Sequence, residues 1–351
     1  MRILFSSHVF APSIGGLETV SRNLAEEFTR QGHEVRLITQ TSAAGAPEPD
    51  TTEVPFAMWR RPSAHTLLKL TRWCDVYFHN NISLPRAWPL LLAPRPWVVA
   101  HHVWIPRTGP AGRLKRFALR FATGISISDA IARHVATPSV VIPDPYDDVT
   151  FRINPDVQRA RDLVFVGRLV SDKGAKLLLL ALAALRATGL RPLLSVEGSG
   201  PEEAQLRQQT DVLGLQTQVS FLGARHGAEL ARILNEHRII VVPSLWQEPF
   251  GIVALEAIAC GCAAVGSAGG GLRDAMGPCG ITFPNGDRDA LCAALELLLC
   301  DPGRVEALRR PAEQHLRRHR LEHVAQEYLA VFSRSLGGRH HDEQRRTADA
   351  A

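Results

Sequence analysis

The chain has 351 residues, 45% of them hydrophobic and 21% charged, with a formal net charge of +5. That length exceeds what one ordinary core organises and fits two domains with a cleft between them. No run reaches the roughly 20 uninterrupted apolar residues of a membrane-spanning helix. The basic excess is compatible with nucleic acid, an acidic membrane surface or a phosphorylated small molecule, and arginine spread along the whole chain does not choose among them.

The first predicted strand is Arg2 to Ser7. A turn at Ala11-Pro-Ser-Ile-Gly15-Gly16 leads into a helix from Leu17 to Gln31, whose Val20, Leu24 and Phe28 recur at helical spacing, and Gly32 ends it. A second strand, Glu34 to Thr39, completes a βαβ opening and implies a parallel sheet. A Pro/Ala/Gly-rich segment at Thr41–Pro55 reads as a mobile loop. Further strands fit Val76–His79, Trp97–Ala100 and Gly124–Ile127. Starting on a strand, the N-terminus offers no leader pattern, so the expected location is cytoplasmic.

Pro143 and Pro145 interrupt the pattern, and a linker is expected over Val141–Asp148. The expected domains are 1–147, completed by a last helix near 322–336, and 148–321. The second series runs strand Leu163–Val166, helix Lys173–Thr188, strand Leu193–Val196, helix Glu202–Leu213 and strand Val219–Leu222. It continues with helix Ala228–Glu236, strand Ile239–Val242, helix Gly251–Ala259 and strand Ala263–Gly266. Helices at Asp289–Leu299 and Arg304–Leu336 precede a tail, 337–351, expected to be disordered. The fold class is α/β: two Rossmann-like parallel sheets whose strand carboxyl ends face a shared cleft. Cys260-Gly-Cys262 is the nearest approach to a metal pair among six cysteines; it reads as two buried thiols at a helix end, with neither disulfide nor metal expected.

The most informative segment is Glu248-Pro-Phe-Gly-Ile-Val-Ala-Leu-Glu256. It places two carboxylates eight positions apart, one before a helix and one inside it, so they reach different parts of one extended ligand. Gly251 permits close backbone approach, and the amides around Phe250, Gly251 and Ile252 are free to meet oxygen atoms. Phe165-Val-Gly167-Arg168-Leu169, followed by Lys173-Gly174, sets two cations between a strand and a helix. Arg168 supplies a fork and Lys173 a point charge, a pattern suited to a diphosphate. Glu197-Gly198-Ser199-Gly200-Pro201 offers a second turn where backbone can approach a ligand.

These motifs resemble those of glycosyltransferase family 4, the large retaining GT-B group, in order and over most of Arg2 to Leu299. They include Gly15-Gly16-Leu17-Glu18, Phe165–Leu169 with Lys173-Gly174, Gly198–Pro201, Val242-Pro-Ser244, Glu248–Glu256, Gly269-Gly270-Gly271 and Gly280 to Asp287. The resemblance implies a UDP- or GDP-sugar donor and a glycan, lipid-linked or small-molecule acceptor, with no metal and no other cofactor. Gly15 and Gly16 would meet the donor phosphate, Arg168 and Lys173 the diphosphate, and Glu256 the ribose hydroxyls. Glu248, with the amides near Phe250 and Gly251, would orient the sugar.

The resemblance also implies a histidine after the fourth strand of the first domain, near the sugar's C6 hydroxyl. His101 and His102 compete, and spacing from the strand favours His102. Trp104, in the loop that follows, is the candidate acceptor platform with His101. The family's Asn-Gly linker turn is replaced here by Asp144-Pro145, which implies a stiffer hinge. Gly112 to Phe121 is a basic amphipathic helix: peripheral docking at the inner membrane face is its functional reading, and packing against the first domain is the favoured one. A nucleic-acid partner is not expected, because no clustered basic face with interleaved aromatics is present. The alternatives to a transferase are an epimerase or hydrolase on the same fold and a non-catalytic partner subunit.

Overall fold

A computed structural model describes residues 1–12, 15–42, 54–135 and 137–348, with side chains as far as 337. Ser13 and Ile14, and most of the expected mobile loop, lie outside the described residues. The chain divides into two compact units, 1–145 with 321–351, and 146–320.

In the first unit, β1 (Arg2–Ser7), α1 (Gly16–Arg30), β2 (Glu34–Thr39), β3 (Ala57–Arg60), α2 (Ala64–Trp73) and β4 (Val76–Asn80) open the chain. There follow α3 (Leu84–Ala87), β5 (Trp97–His101), α4 (Pro110–Ala118), β6 (Thr123–Ser126), α5 (Asp129–Val135) and β7 (Ser139–Val141). The seven strands form a parallel sheet in the order β3-β2-β1-β4-β5-β6-β7. β3 and β7, of four and three residues, and the strand Gly280–Phe283 in the second unit were not among the expected strands. One face of the sheet buries Leu4, Ile38 and Tyr77 under Leu67 and Leu70 of α2. The opposite side is closed by an aromatic cluster in which Phe78 meets Tyr328 at 5.6 Å and Phe332 at 5.2 Å between ring centroids.

The second unit contains β8 (Arg161–Val166), α6 (Ala175–Ala187), β9 (Leu194–Glu197), α7 (Glu203–Val212), β10 (Val219–Gly223), α8 (Gly227–Glu236) and β11 (His237–Val242). It continues through α9 (Ile252–Ala259), β12 (Ala263–Ser267), α10 (Leu272–Met276), β13 (Gly280–Phe283), α11 (Arg288–Cys300), α12 (Pro302–Arg309) and α13 (Ala312–Arg317). Its six strands are parallel in the order β10-β9-β8-β11-β12-β13. Leu178, Leu182 and Leu185 of α6, with Leu291, Leu295 and Leu298 of α11, cover one face. Cys260 and Cys262 are buried thiols at the end of α9, as the sequence suggests.

The last helix, α14 (Leu321–Ala348), rejoins the first unit. The single helix expected over Arg304–Leu336 is in fact three. Asp301 caps α12 by accepting from Gly303 N at 3.0 Å and Arg304 N at 3.3 Å. Pro311, which lacks an N–H, then separates α12 from α13. The tail expected to be disordered from 337 is helical backbone as far as Ala348.

The basic segment also departs from the favoured expectation. Its helix, α4, runs Pro110–Ala118 and ends in a 3-10 turn at Leu119–Phe121. Leu114, Phe117 and Phe121 are 56%, 56% and 72% exposed, so the apolar stripe does not pack inward. The helix docks through its other side, at Gly112 and Leu119. A Cβ at Gly112 would lie 2.3 Å from Pro106 O, so backbone meets backbone there.

Candidate functional site

In an open parallel sheet, ligands bind beyond the strand carboxyl ends where the strand order reverses. In the second unit that reversal lies between β8 and β11. The loop after β8 carries Gly167, Arg168 and Lys173, and the loop after β11 carries Ser244, Trp246 and Glu248.

These loops are bound to each other. Lys173, expected as the first residue of the helix, lies in a 3-10 turn, Ser171–Lys173, because Gly174 takes φ +73° and α6 starts only at Ala175. A Cβ on Gly174 would stand 1.9 Å from Pro243 O, so only glycine lets the two loops approach this closely. Leu245 N then donates to Asp172 O at 2.8 Å.

From that turn Lys173 Nζ reaches Glu248 Oε1 at 2.6 Å. Ser244 Oγ donates to the same oxygen at 2.6 Å. Glu248 is buried, so one carboxylate oxygen is fixed by two donors while the other keeps its accepting capacity. Lys173 Nζ also lies 5.5 Å from the centre of the Trp246 ring. Arg168 is exposed, and its guanidinium has no ion pair or hydrogen bond among the described residues.

The Glu248 loop has two further supports. Gly271 N donates to Glu248 O at 2.7 Å, and Gly270, at φ +83°, would place a Cβ 2.0 Å from that carbonyl. Asn285 Nδ2 donates to Ser244 O at 3.0 Å and Trp246 O at 2.9 Å, while its Oδ1 accepts from Gly269 N at 2.7 Å. Sequence reading included Asn285 in a glycine-rich motif without assigning it a task.

Beyond Glu248, the ring of Phe250 is buried against His319 at 5.8 Å, which leaves its backbone rather than its ring for a ligand. Gly251 caps the amino end of α9, which begins at Ile252. One turn further on is Glu256, partly exposed by surface area, whose carboxyl is pushed up to about 7, first by burial and then by the charges of Asp147 and Glu197. Glu197 ends β9 and accepts from Arg225 N, and burial raises its pKa also. Gly198 and Gly200 follow it, and Leu169 N donates to Ser199 O at 2.9 Å across the β8–β9 junction.

The first unit carries its polar groups at its own strand ends. Gly15 is the N-cap of α1 and Gly16 its first residue. His101 ends β5, buried, and burial lowers its pKa to about 4. Next to it, His102 N donates to Asn81 Oδ1 at 2.8 Å, from an asparagine at φ +78° after β4. His102 Nδ1 lies 3.0 Å from Asp144 Oδ1, both side chains being buried, and Nε2 has no hydrogen-bond partner among the described residues. Asp144, noted in the sequence only as a linker anomaly, is therefore the charged neighbour of the favoured histidine. Trp104 stands edge-on to His134 at 4.9 Å. A cavity of about 440 Å³ lined by His33, Glu34, Arg36, Phe56 and Trp59 opens beside the amino ends of β2 and β3, away from all these groups.

Two tandem parallel-sheet domains, the second with its paired charges where the strand order reverses, put the chain in the GT-B class. The profile described as Glycosyltransferase Family 4 matches residues 14–148, and that described as Glycosyl transferases group 1 matches 148–315. The chain belongs to glycosyltransferase family 4. It is 30% identical over 246 residues to the D-inositol 3-phosphate glycosyltransferase of Stackebrandtia nassauensis, covering 60% of this chain and 55% of that protein. It is 35% identical over 157 residues to the glycogen synthase of Mycobacterium tuberculosis, covering 44% of this chain and 38% of the relative. The matched segments thus span about half or less of these curated relatives. In fold, it resembles sucrose-phosphate synthase from Thermosynechococcus elongatus (TM-score 0.80, 21% identity, 96% of this chain and 99% of that one). It also resembles HepE from Anabaena in complex with UDP (TM-score 0.80, 20% identity, 95% and 100%).

Proposed function

We propose that this protein is a metal-independent retaining glycosyltransferase that moves a hexose or hexosamine from a UDP- or GDP-sugar to a hydroxyl of a glycan, lipid-linked or small-molecule acceptor. The observation that carries this reading is the Lys173–Glu248 pair at the β8/β11 reversal, beside an exposed Arg168 whose guanidinium has no partner among the described residues. Arg168 forks onto the diphosphate and Lys173 adds a point charge, so two cations offset the charge that grows on the leaving group. Glu248 accepts from sugar hydroxyls through its remaining capacity, and Glu256 from the ribose. His102 offers Nε2 to the sugar, oriented by Asp144. The acceptor oxygen bonds to the anomeric carbon on the side from which the diphosphate departs. The bond from that carbon to the diphosphate oxygen breaks, the acceptor's proton passes to the departing oxygen, and configuration is retained.

The Anabaena neighbour's complex with UDP supports a uridine nucleotide as the first donor to try. The test is a thermal-shift titration with UDP, GDP, ADP and their sugar conjugates, with and without EDTA. Selective stabilisation that survives EDTA is expected. Stabilisation abolished by EDTA would overturn metal independence, and no response to any nucleotide would favour a non-catalytic subunit. Donor hydrolysis or epimerisation without an acceptor would replace transfer by those reactions.

A further inference from the structure

From Val76 to Ser128 the chain has no acidic residue, while it carries Arg86, Arg95, Arg107, Arg113, Lys115, Arg116 and Arg120. Three of these cations are engaged by the protein: Arg86 with Ser6 Oγ and Ser7 O, Arg95 with Thr71 O and Arg72 O, and Arg116 with Ile105 O. Arg107, Arg113, Lys115 and Arg120 have no hydrogen bond or ion pair among the described residues. They accompany the uncovered stripe of α4. At 3.6 residues per turn, Leu114, Phe117 and Phe121 lie opposite the docked Gly112 and Leu119, and Arg113 and Arg120 border them. The rings of Phe117 and Phe121, both more than half exposed, meet each other at 5.6 Å.

A second apolar pair lies at the same edge of the sheet. Leu91 and Leu92, 84% and 64% exposed, precede β5, as Phe121 precedes β6, and β5 and β6 are neighbours in the sheet. Both groups therefore emerge at the amino ends of adjacent strands. Large side chains left in water beside unpaired cations mark a contact surface rather than ordinary scatter.

We propose that this face, centred on Phe117 and Phe121 and bordered by Arg113 and Arg120, docks the protein peripherally on an anionic phospholipid surface. The chemistry selects that occupant. Aromatic and leucine side chains enter the boundary between headgroups and acyl chains while long cationic side chains stay among the phosphates. A second copy of this chain meets the face with like charge, which opposes self-pairing. Nucleic acid would satisfy the cations but leave Leu91, Leu92 and Leu114 without an apolar partner.

The test needs no nucleotide, so it succeeds or fails independently of the donor reading. The full chain is sedimented with vesicles of phosphatidylcholine alone or mixed with phosphatidylglycerol, at low and high salt. Binding to the mixed vesicles, weakened by salt, is expected. Arg113→Gln/Arg120→Gln should lower partitioning about 25-fold, at roughly fivefold per charge near the surface. Phe117→Ser/Phe121→Ser should lower it about tenfold or more, with little change in melting temperature because both side chains are more than half exposed. Equal binding to neutral vesicles, no binding, or binding insensitive to both variants overturns the proposal. So does a dimer in sedimentation equilibrium that Phe117→Ser/Phe121→Ser dissolves, or oligonucleotide binding that the charge variant alone removes.

Discussion

Asp144 Oδ1 stands 3.0 Å from His102 Nδ1, so a residue of the interdomain linker is the acidic neighbour of the candidate catalytic histidine. A carboxylate in this position sets which ring nitrogen holds a proton and leaves Nε2 for a ligand. Asp144→Asn should therefore lower kcat for sugar transfer by about 10- to 100-fold, the usual range for a partner that orients a functional imidazole. Nucleotide affinity should stay as in the wild type. Steady-state kinetics with a nucleotide titration separates the two, and a matching loss of affinity would mean a merely structural role.

Lys173 and Glu248 should not act additively. Lys173→Ala leaves a buried carboxylate with Ser244 as its remaining side-chain partner, at about 1–3 kcal/mol of stability. Either Lys173→Ala or Glu248→Ala should reduce transfer by about 100-fold or more. The double variant should be little worse than the poorer single one, since both remove one charge-paired unit. Additive losses in the cycle would show that the ion pair is incidental to the reaction.

Asn285 should behave as a positioning residue. Its amide fastens the Ser244–Trp246 carbonyls and the amide of Gly269, and touches no expected ligand group. Asn285→Ala should raise the donor KM about tenfold and lower stability by about 1 kcal/mol through lost, partly buried bonds. Asn285→Asp keeps the acceptor for Gly269 N but not the donors, and should retain part of the stability while still raising KM. A kcat defect with unchanged KM would count against the assignment.

Glu256 links stability to pH with a definite sign. Burial, then the charges of Asp147 and Glu197, raise its pKa from 4.5 to about 7. Between those values the folded state holds a proton that the unfolded chain has released, so stability is lost as pH rises through this window. Above about pH 7 the ionised carboxyl costs on the order of 3 kcal/mol in the unliganded protein. Glu256→Gln should raise the melting temperature at pH 8 and leave it unchanged near pH 4.5, while weakening stabilisation by UDP. An equal gain at both pH values would locate the effect in packing rather than in ionisation.

The order of the strands and the main charged loops could be read from the sequence because each junction carries its own punctuation. Gly167, Gly174, Gly198 and Gly251 mark where strands give way to helices, and the apolar period changes across them. Contacts between distant residues left no such mark. The Asn285 clamp joins positions some 40 residues apart, and Asp144 drew notice only as an unusual linker residue. Periodicity located the stripe on α4 but not its exposure, because a repeat of apolar residues looks the same whether or not another element covers it. The breaks between α12, α13 and α14 were missed for a related reason: strong helix-forming composition on both sides outweighed one proline.

The aromatic cluster of the first unit joins Phe28 and Phe78 to Tyr328 and Phe332, near opposite ends of the chain. This fixes the order in which the molecule matures during synthesis. Residues 146–320 emerge from the ribosome with every element of their own sheet and can fold while translation continues. The earlier sheet must wait, with Phe78 uncovered, until α14 is released and closes over it. Of the two units, the one whose sheet is made first is thus the last to be finished.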